Sequence, residues 1–93
     1  MEKTADELRK ALLAQGYDRI REVIIELGPD WSGAESYFVW VLLDDATRDD
    51  ELDFDELEAL TSLARKWMRD KDNERYPYIR VRRVHEWYEM VAV

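Results

Sequence analysis

The hydrophobic pattern of this chain changes period several times, and each change marks a new element. Near the start, Leu8, Ala11 and Leu12 share one helical face behind Thr4 and Glu7, which have capping-box spacing, and Gly16 supplies a left-handed stop. A helix is predicted over 4–15. From Ile20 the period shortens: Val23, Ile25 and Leu27 alternate with Glu22, Ile24 and Glu26, which reads as a half-buried strand over 20–27. The run Tyr37-Phe38-Val39-Trp40-Val41-Leu42-Leu43 then shows no alternation and ends at Asp44-Asp45. Tyr37, Val39, Val41 and Leu43 occupy one face and Phe38, Trp40 and Leu42 the other, so the strand over 36–43 is central and covered on both sides.

The segment Gly28-Pro29-Asp30-Trp31-Ser32-Gly33 carries the densest turn signal and joins these strands as an antiparallel hairpin. Its loop is expected to be ordered, with Trp31 packed onto the end of the sheet. After an acidic loop at 46–52, Asp53 and Glu56 have capping spacing, and Phe54, Leu57, Leu60, Ala64, Trp67 and Met68 form one apolar helical face over 54–70. Pro77 makes Tyr76 extended, and a strand over 78–84 turns Ile79 and Val81 inward and Arg80 and Arg82 outward. The tail, 85–93, suits either a fourth strand or a short docking helix.

The order α-β-β-α-β, with its last element open, predicts a single α+β domain over 1–93. It is a two-layer sandwich, with two helices on one face of a mixed three- to four-stranded sheet. The connection from the central strand through the second helix makes the strands at 36–43 and 78–84 parallel. Two helices leave the Phe38, Trp40 and Leu42 face to be covered either by the tail, with Trp87, Tyr88 and Met90, or by another chain. That choice points to interaction rather than catalysis.

Composition narrows the picture. The 93 residues include no cysteine, so disulfides and zinc-thiolate sites are excluded. The charged N-terminus lacks a signal-peptide core and no apolar run is long enough to span a bilayer, so a cytoplasmic location is expected. Residues 1–60 carry 17 acidic and 6 basic side chains, net −11; residues 61–93 carry 5 and 8, net +3; the chain is therefore −8. An acidic chain is repelled by phosphate backbones and attracted to basic proteins.

The acidic residues Asp44, Asp45, Asp49, Asp50, Glu51, Asp53 and Asp55 offer oxygens to a hard cation, but the calcium-loop spacing and its central glycine are missing. His85 is the one histidine, and no hydroxyl lies in a nucleophile-elbow context. No catalytic residue, metal ligand or cofactor is assigned. Arg80, Arg82 and Arg83 beside Tyr76 and Tyr78 offer cations and stacking surfaces for single-stranded RNA; equally, outward arginines protect an edge strand from unwanted pairing. The element order resembles the type II KH arrangement of some RNA-binding proteins, which implies a grip on RNA through a G-x-x-G loop between two helices. This chain contains no G-x-x-G.

The leading expectation is a non-enzymatic module that binds protein through an aromatic sheet face. The partner is either a second copy, as a homodimer, or a basic protein, as an antitoxin or a nucleic-acid mimic would bind. Phe38, Trp40, Leu42 and Trp31 are the expected apolar anchors, with Arg80, Arg82 and Arg83 as the charged flank, since tryptophan, tyrosine and arginine dominate interface energetics. The alternatives are an RNA-binding domain using the arginine-rich strand and a divalent-metal-dependent enzyme using the acidic loop.

Overall fold

A computed structural model describes residues 3–48, 54–71 and 75–91. Its elements run α1 (Lys3–Leu13), β1 (Ile20–Pro29), β2 (Glu35–Leu43), α2 (Phe54–Asp70), β3 (Tyr76–Arg83) and α3 (Val84–Val91). The sheet order is β1-β2-β3, with β1 antiparallel and β3 parallel to the central β2. This is the expected α+β architecture, and the open tail is a helix.

One sheet face carries the core. Val23 and Ile25 of β1 and Tyr37, Val39, Val41 and Leu43 of β2 pack against Ala5, Leu8 and Leu12 of α1 and Leu60, Ala64 and Met68 of α2. Ile79 and Val81 complete it from β3, as their inward parity requires.

Several boundaries and placements depart from the sequence reading. α1 begins at Lys3, so Thr4 lies inside its first turn rather than at its cap; the expected Asp53 cap of α2 lies outside the described residues. β1 continues through Gly28 and Pro29, leaving a loop at 30–34 rather than 28–33. Leu27 alternates inward in sequence but is exposed, because it sits at the far end of an edge strand where little packs over it. Phe54, the first residue of α2, is exposed for a similar reason: the apolar stripe continues one turn beyond the surface it covers.

Near its start β1 contains a bulge, with Arg21 the extra residue between the pairs Ile20–Leu43 and Glu22–Leu42. Arg21 Nε donates to Asp44 Oδ2 at 2.8 Å, tying this edge to the end of β2.

Candidate aromatic interaction face

The second sheet face is a continuous set of large side chains. By register it presents Ile24 and Glu26 from β1, Phe38, Trp40 and Leu42 from β2, and Tyr76, Tyr78, Arg80 and Arg82 from β3. α3 divides this face in two.

At the C-terminal end of β2 the face is closed. Trp87, only 7% exposed, lies against Trp40 with ring centroids 5.1 Å apart, and Leu42 is 2% exposed. Trp40 is held from two further sides: its indole N–H donates to Glu26 Oε1 at 2.9 Å, and the Arg82 guanidinium lies over the ring at 5.4 Å. The tail has therefore folded back over this end, burying Leu42 and leaving Trp40 half-buried.

α3 is capped there by two carboxylates, one on the amide of the preceding Arg83 and one on that of His85. Glu86 Oε1 accepts from the Arg83 N–H at 2.7 Å, the reach-back half of a capping box, and Asp45 Oδ1 accepts from the His85 N–H at 2.8 Å. His85 Nδ1 contacts the same oxygen at 2.9 Å. These two His85 contacts, the backbone one first, hold the Asp45 carboxyl below its ordinary range. Asp44 is lowered too, by the Ala46 N–H and then by Arg21. The described part of the acidic loop thus shapes a turn and caps a helix. Asp49, Asp50, Glu51 and Asp53 lie outside the described residues, and among the described ones no three His, Asp or Glu converge as a metal site.

The other end of the face is more open, with Trp31 and Tyr76 exposed and Phe38 and Tyr78 half-buried. Phe38 stacks on Tyr78 at 5.6 Å, Tyr76 lies 4.6 Å from Tyr78, and Trp31 meets Tyr78 edge-on at 5.5 Å. Trp31 is 84% exposed, so it is not the plug of the core that its loop position suggested. The loop beneath it is nonetheless ordered around one carboxylate. Asp30 Oδ1 accepts from the Ser32 N–H at 2.8 Å, the Ser32 hydroxyl at 2.6 Å and the Ala34 N–H at 3.2 Å; Oδ2 accepts from the Tyr78 hydroxyl at 3.0 Å and the Ser36 hydroxyl at 3.3 Å. The Ser32 hydroxyl leads the contacts that pull the Asp30 carboxyl down to about 2, so at neutral pH it is fully ionised. Gly33, at φ 87°, takes the left-handed conformation that closes the turn. Asp30 was legible in the sequence only as a turn residue; its bond to Tyr78, 48 positions away, was not.

The arginines are turned to internal use. Pro77, Ile79, Val81 and Arg83 share one parity and therefore one edge of β3, the edge away from β2, since the Arg83 N–H goes to Glu86. Arg82 Nη1 donates to the Val81 carbonyl at 2.7 Å, Arg80 Nη1 reaches the Ile79 carbonyl at 3.5 Å, and Pro77 has no N–H to offer. The edge is blunted by its own side chains. Arg80 also covers Tyr78 at 5.9 Å, and Arg83 Nε donates to the Thr47 carbonyl at 2.6 Å.

Two shallow clefts, one lined by Asp18, Arg19, Arg21, Asp44, Ala46 and Thr47 and the other by Leu43, Val81, Arg82, Arg83 and Glu86, do not include His85. No described helix is long and apolar enough to cross a membrane. The KH-like reading meets one clear departure: among the described residues a single helix, α2, stands between β2 and β3, where a G-x-x-G loop would separate two. No family model, curated protein or solved structure matches the chain.

Proposed function

We propose that this chain is a non-enzymatic protein-interaction module, and that it binds through the open half of its aromatic face, built from Trp31, Phe38, Tyr76 and Tyr78 with Arg80 at its border. One observation carries the reading. Trp31 is exposed, yet it stands on a loop whose carboxylate hub accepts five hydrogen bonds and against a tyrosine bonded to the same hub. Leaving a large indole in water forgoes its burial, worth on the order of 2–3 kcal/mol. Holding it in one pose also reduces the entropy lost when a partner covers it. Tryptophan and tyrosine so arranged are the residue types that anchor protein interfaces.

The arginines favour a protein partner over RNA. Arg82 is committed to Trp40 and the Val81 carbonyl and Arg83 to Thr47, so neither extends freely toward a phosphate. A net charge of −8 adds to that barrier. The absence of cysteine fits work in the reducing cytoplasm.

The test is photocrosslinking in cells that normally make the protein. A benzoylphenylalanine replacing Trp31 should give a discrete protein adduct, while the same group replacing the exposed Glu58 on α2 should not. Equal, diffuse labelling from both positions would count against the open half as a partner surface.

A further inference from the structure

We propose that the partner of the open half-face is a second copy of this chain, whose α3 lies over it. The inference rests on the reading of that half-face as a partner surface and names its occupant.

The argument begins with where α3 sits. It covers the Trp40 and Leu42 end of the sheet face and does not cover the other end, where Trp31 and Tyr76 are exposed and Phe38 and Tyr78 half-buried. A two-fold axis parallel to this face, at the level of α3 and perpendicular to the strands, exchanges the two ends. Applied to a second copy, it sets each α3 over the uncovered half of the other sheet, so the two α3 helices make one layer between two sheets. Such an interface is isologous and closed, and every contact in it occurs twice.

The outer surface of α3 suits that position. With Trp87 turned to its own sheet, helical spacing sends His85 and Glu89 to the opposite side, with Tyr88 and Met90 flanking them. Tyr88 is 62% exposed and Met90 also lies open, so the helix carries apolar surface that its own sheet does not use. The charges are complementary as well. Glu89 is exposed and takes part in no ion pair among the described residues, while the facing half-sheet is bordered by the exposed Arg80. His85 and Glu86 of α3 are already engaged, by Asp45 and by the Arg83 segment respectively. Glu89 of one copy and Arg80 of the other therefore form the pair that sets the register.

A homodimer of two acidic chains has a salt signature opposite to that of the other occupants. Each copy carries −8, so screening removes a repulsion and association tightens as salt rises. Binding to a basic protein or to RNA loosens with salt.

Sedimentation equilibrium of the intact chain tests the proposal with Glu89→Arg, Arg80→Glu and the combined variant; both positions are exposed, so folding is spared. The wild type should self-associate, and more tightly at higher salt. At high salt, where the net-charge repulsion that the reversals also alter is screened, each single reversal should weaken the dimer by about tenfold, because it sets two like-charge contacts in one interface. The combined variant should return to within about threefold of wild type. A monomer at every concentration and salt, or a dimer indifferent to both reversals, overturns the second copy as occupant. If position 31 then still crosslinks a different protein, the interaction-module reading stands and only this inference falls; if it crosslinks nothing, both fall.

Discussion

Tyr37→Ala is expected to unfold a large part of the population, whereas Trp31→Ala, six positions away, should leave the melting temperature nearly unchanged. Tyr37 is fully buried on the central strand, among the residues that α1 and α2 cover, and the Arg75 guanidinium lies 5.7 Å from its ring centroid. Emptying a buried aromatic site costs about 3–5 kcal/mol, the lost transfer energy plus the cavity left behind. A domain of this size holds only about 5–15 kcal/mol in total, so the melting point should fall by about 15 °C or more. Trp31 has little burial to lose, and its removal should change stability by no more than about 0.5 kcal/mol. Calorimetry of the two variants checks the contrast. Comparable losses from both would mean that Trp31 belongs to the core and is not a presented side chain.

The second large effect concerns α3. Eight residues cannot hold a helix in water without tertiary support, and Trp87 is the only buried residue of this one. Trp87→Ala removes an aromatic burial and its contact with Trp40, together worth about 3 kcal/mol. The loss should be local. α3 is expected to undock and melt, baring Trp40 and Leu42, while the α1–α2 layer and the sheet persist. Circular dichroism should lose a helical fraction matching one short helix, and amides of 84–91 should lose protection from hydrogen exchange while those of β2 keep it. Trp87→Phe should retain most of the docking. Unchanged protection in Trp87→Ala would show that α3 is held by its two carboxylate caps alone.

Much of this architecture was legible along the chain because its strongest signals are periodic. α2 repeats its apolar positions through Leu60, Ala64 and Met68, and β2 is apolar on both faces, so helix and central strand follow from spacing alone. The parity of β3, with Ile79 and Val81 in and Arg80 and Arg82 out, was readable for the same reason. What escaped depends on contacts between distant segments. α3 starts on Arg83, a residue type that gives no capping signal, and is completed by Asp45 from another loop. Trp31 was expected to plug the sheet end, but Tyr78 already occupies that ground. Whether the tail or another chain covers Trp40 and Leu42 stays open in the sequence, because nothing in the tail's spacing decides whether it folds back over them. The less covered half of the face lies toward the hairpin loop, where Tyr76 and Tyr78 join Phe38 and Trp31.

The same geometry bears on the use of charge. Asp44 and Asp45 are bonded to Arg21 and to the start of α3, and Arg82 and Arg83 to their own strand and loop, so these groups have partners within the chain. Magnitudes then decide the sign of the salt effect. Two chains of −8 about 25 Å apart repel by roughly 10 kcal/mol in salt-free water, whereas an exposed ion pair returns only about 0–1 kcal/mol.

The proposed function turns on a tryptophan held out in one fixed pose, and nitrogen-15 relaxation of the Trp31 backbone and indole N–H measures that directly in dilute, unpartnered protein. The account predicts order parameters near those of the flanking strands, about 0.85, for residues 30–34 and for the indole, falling sharply in Asp30→Ala as the carboxylate hub is lost. Values below about 0.6 in the wild type would contradict it, because a side chain that samples many poses presents no anchor.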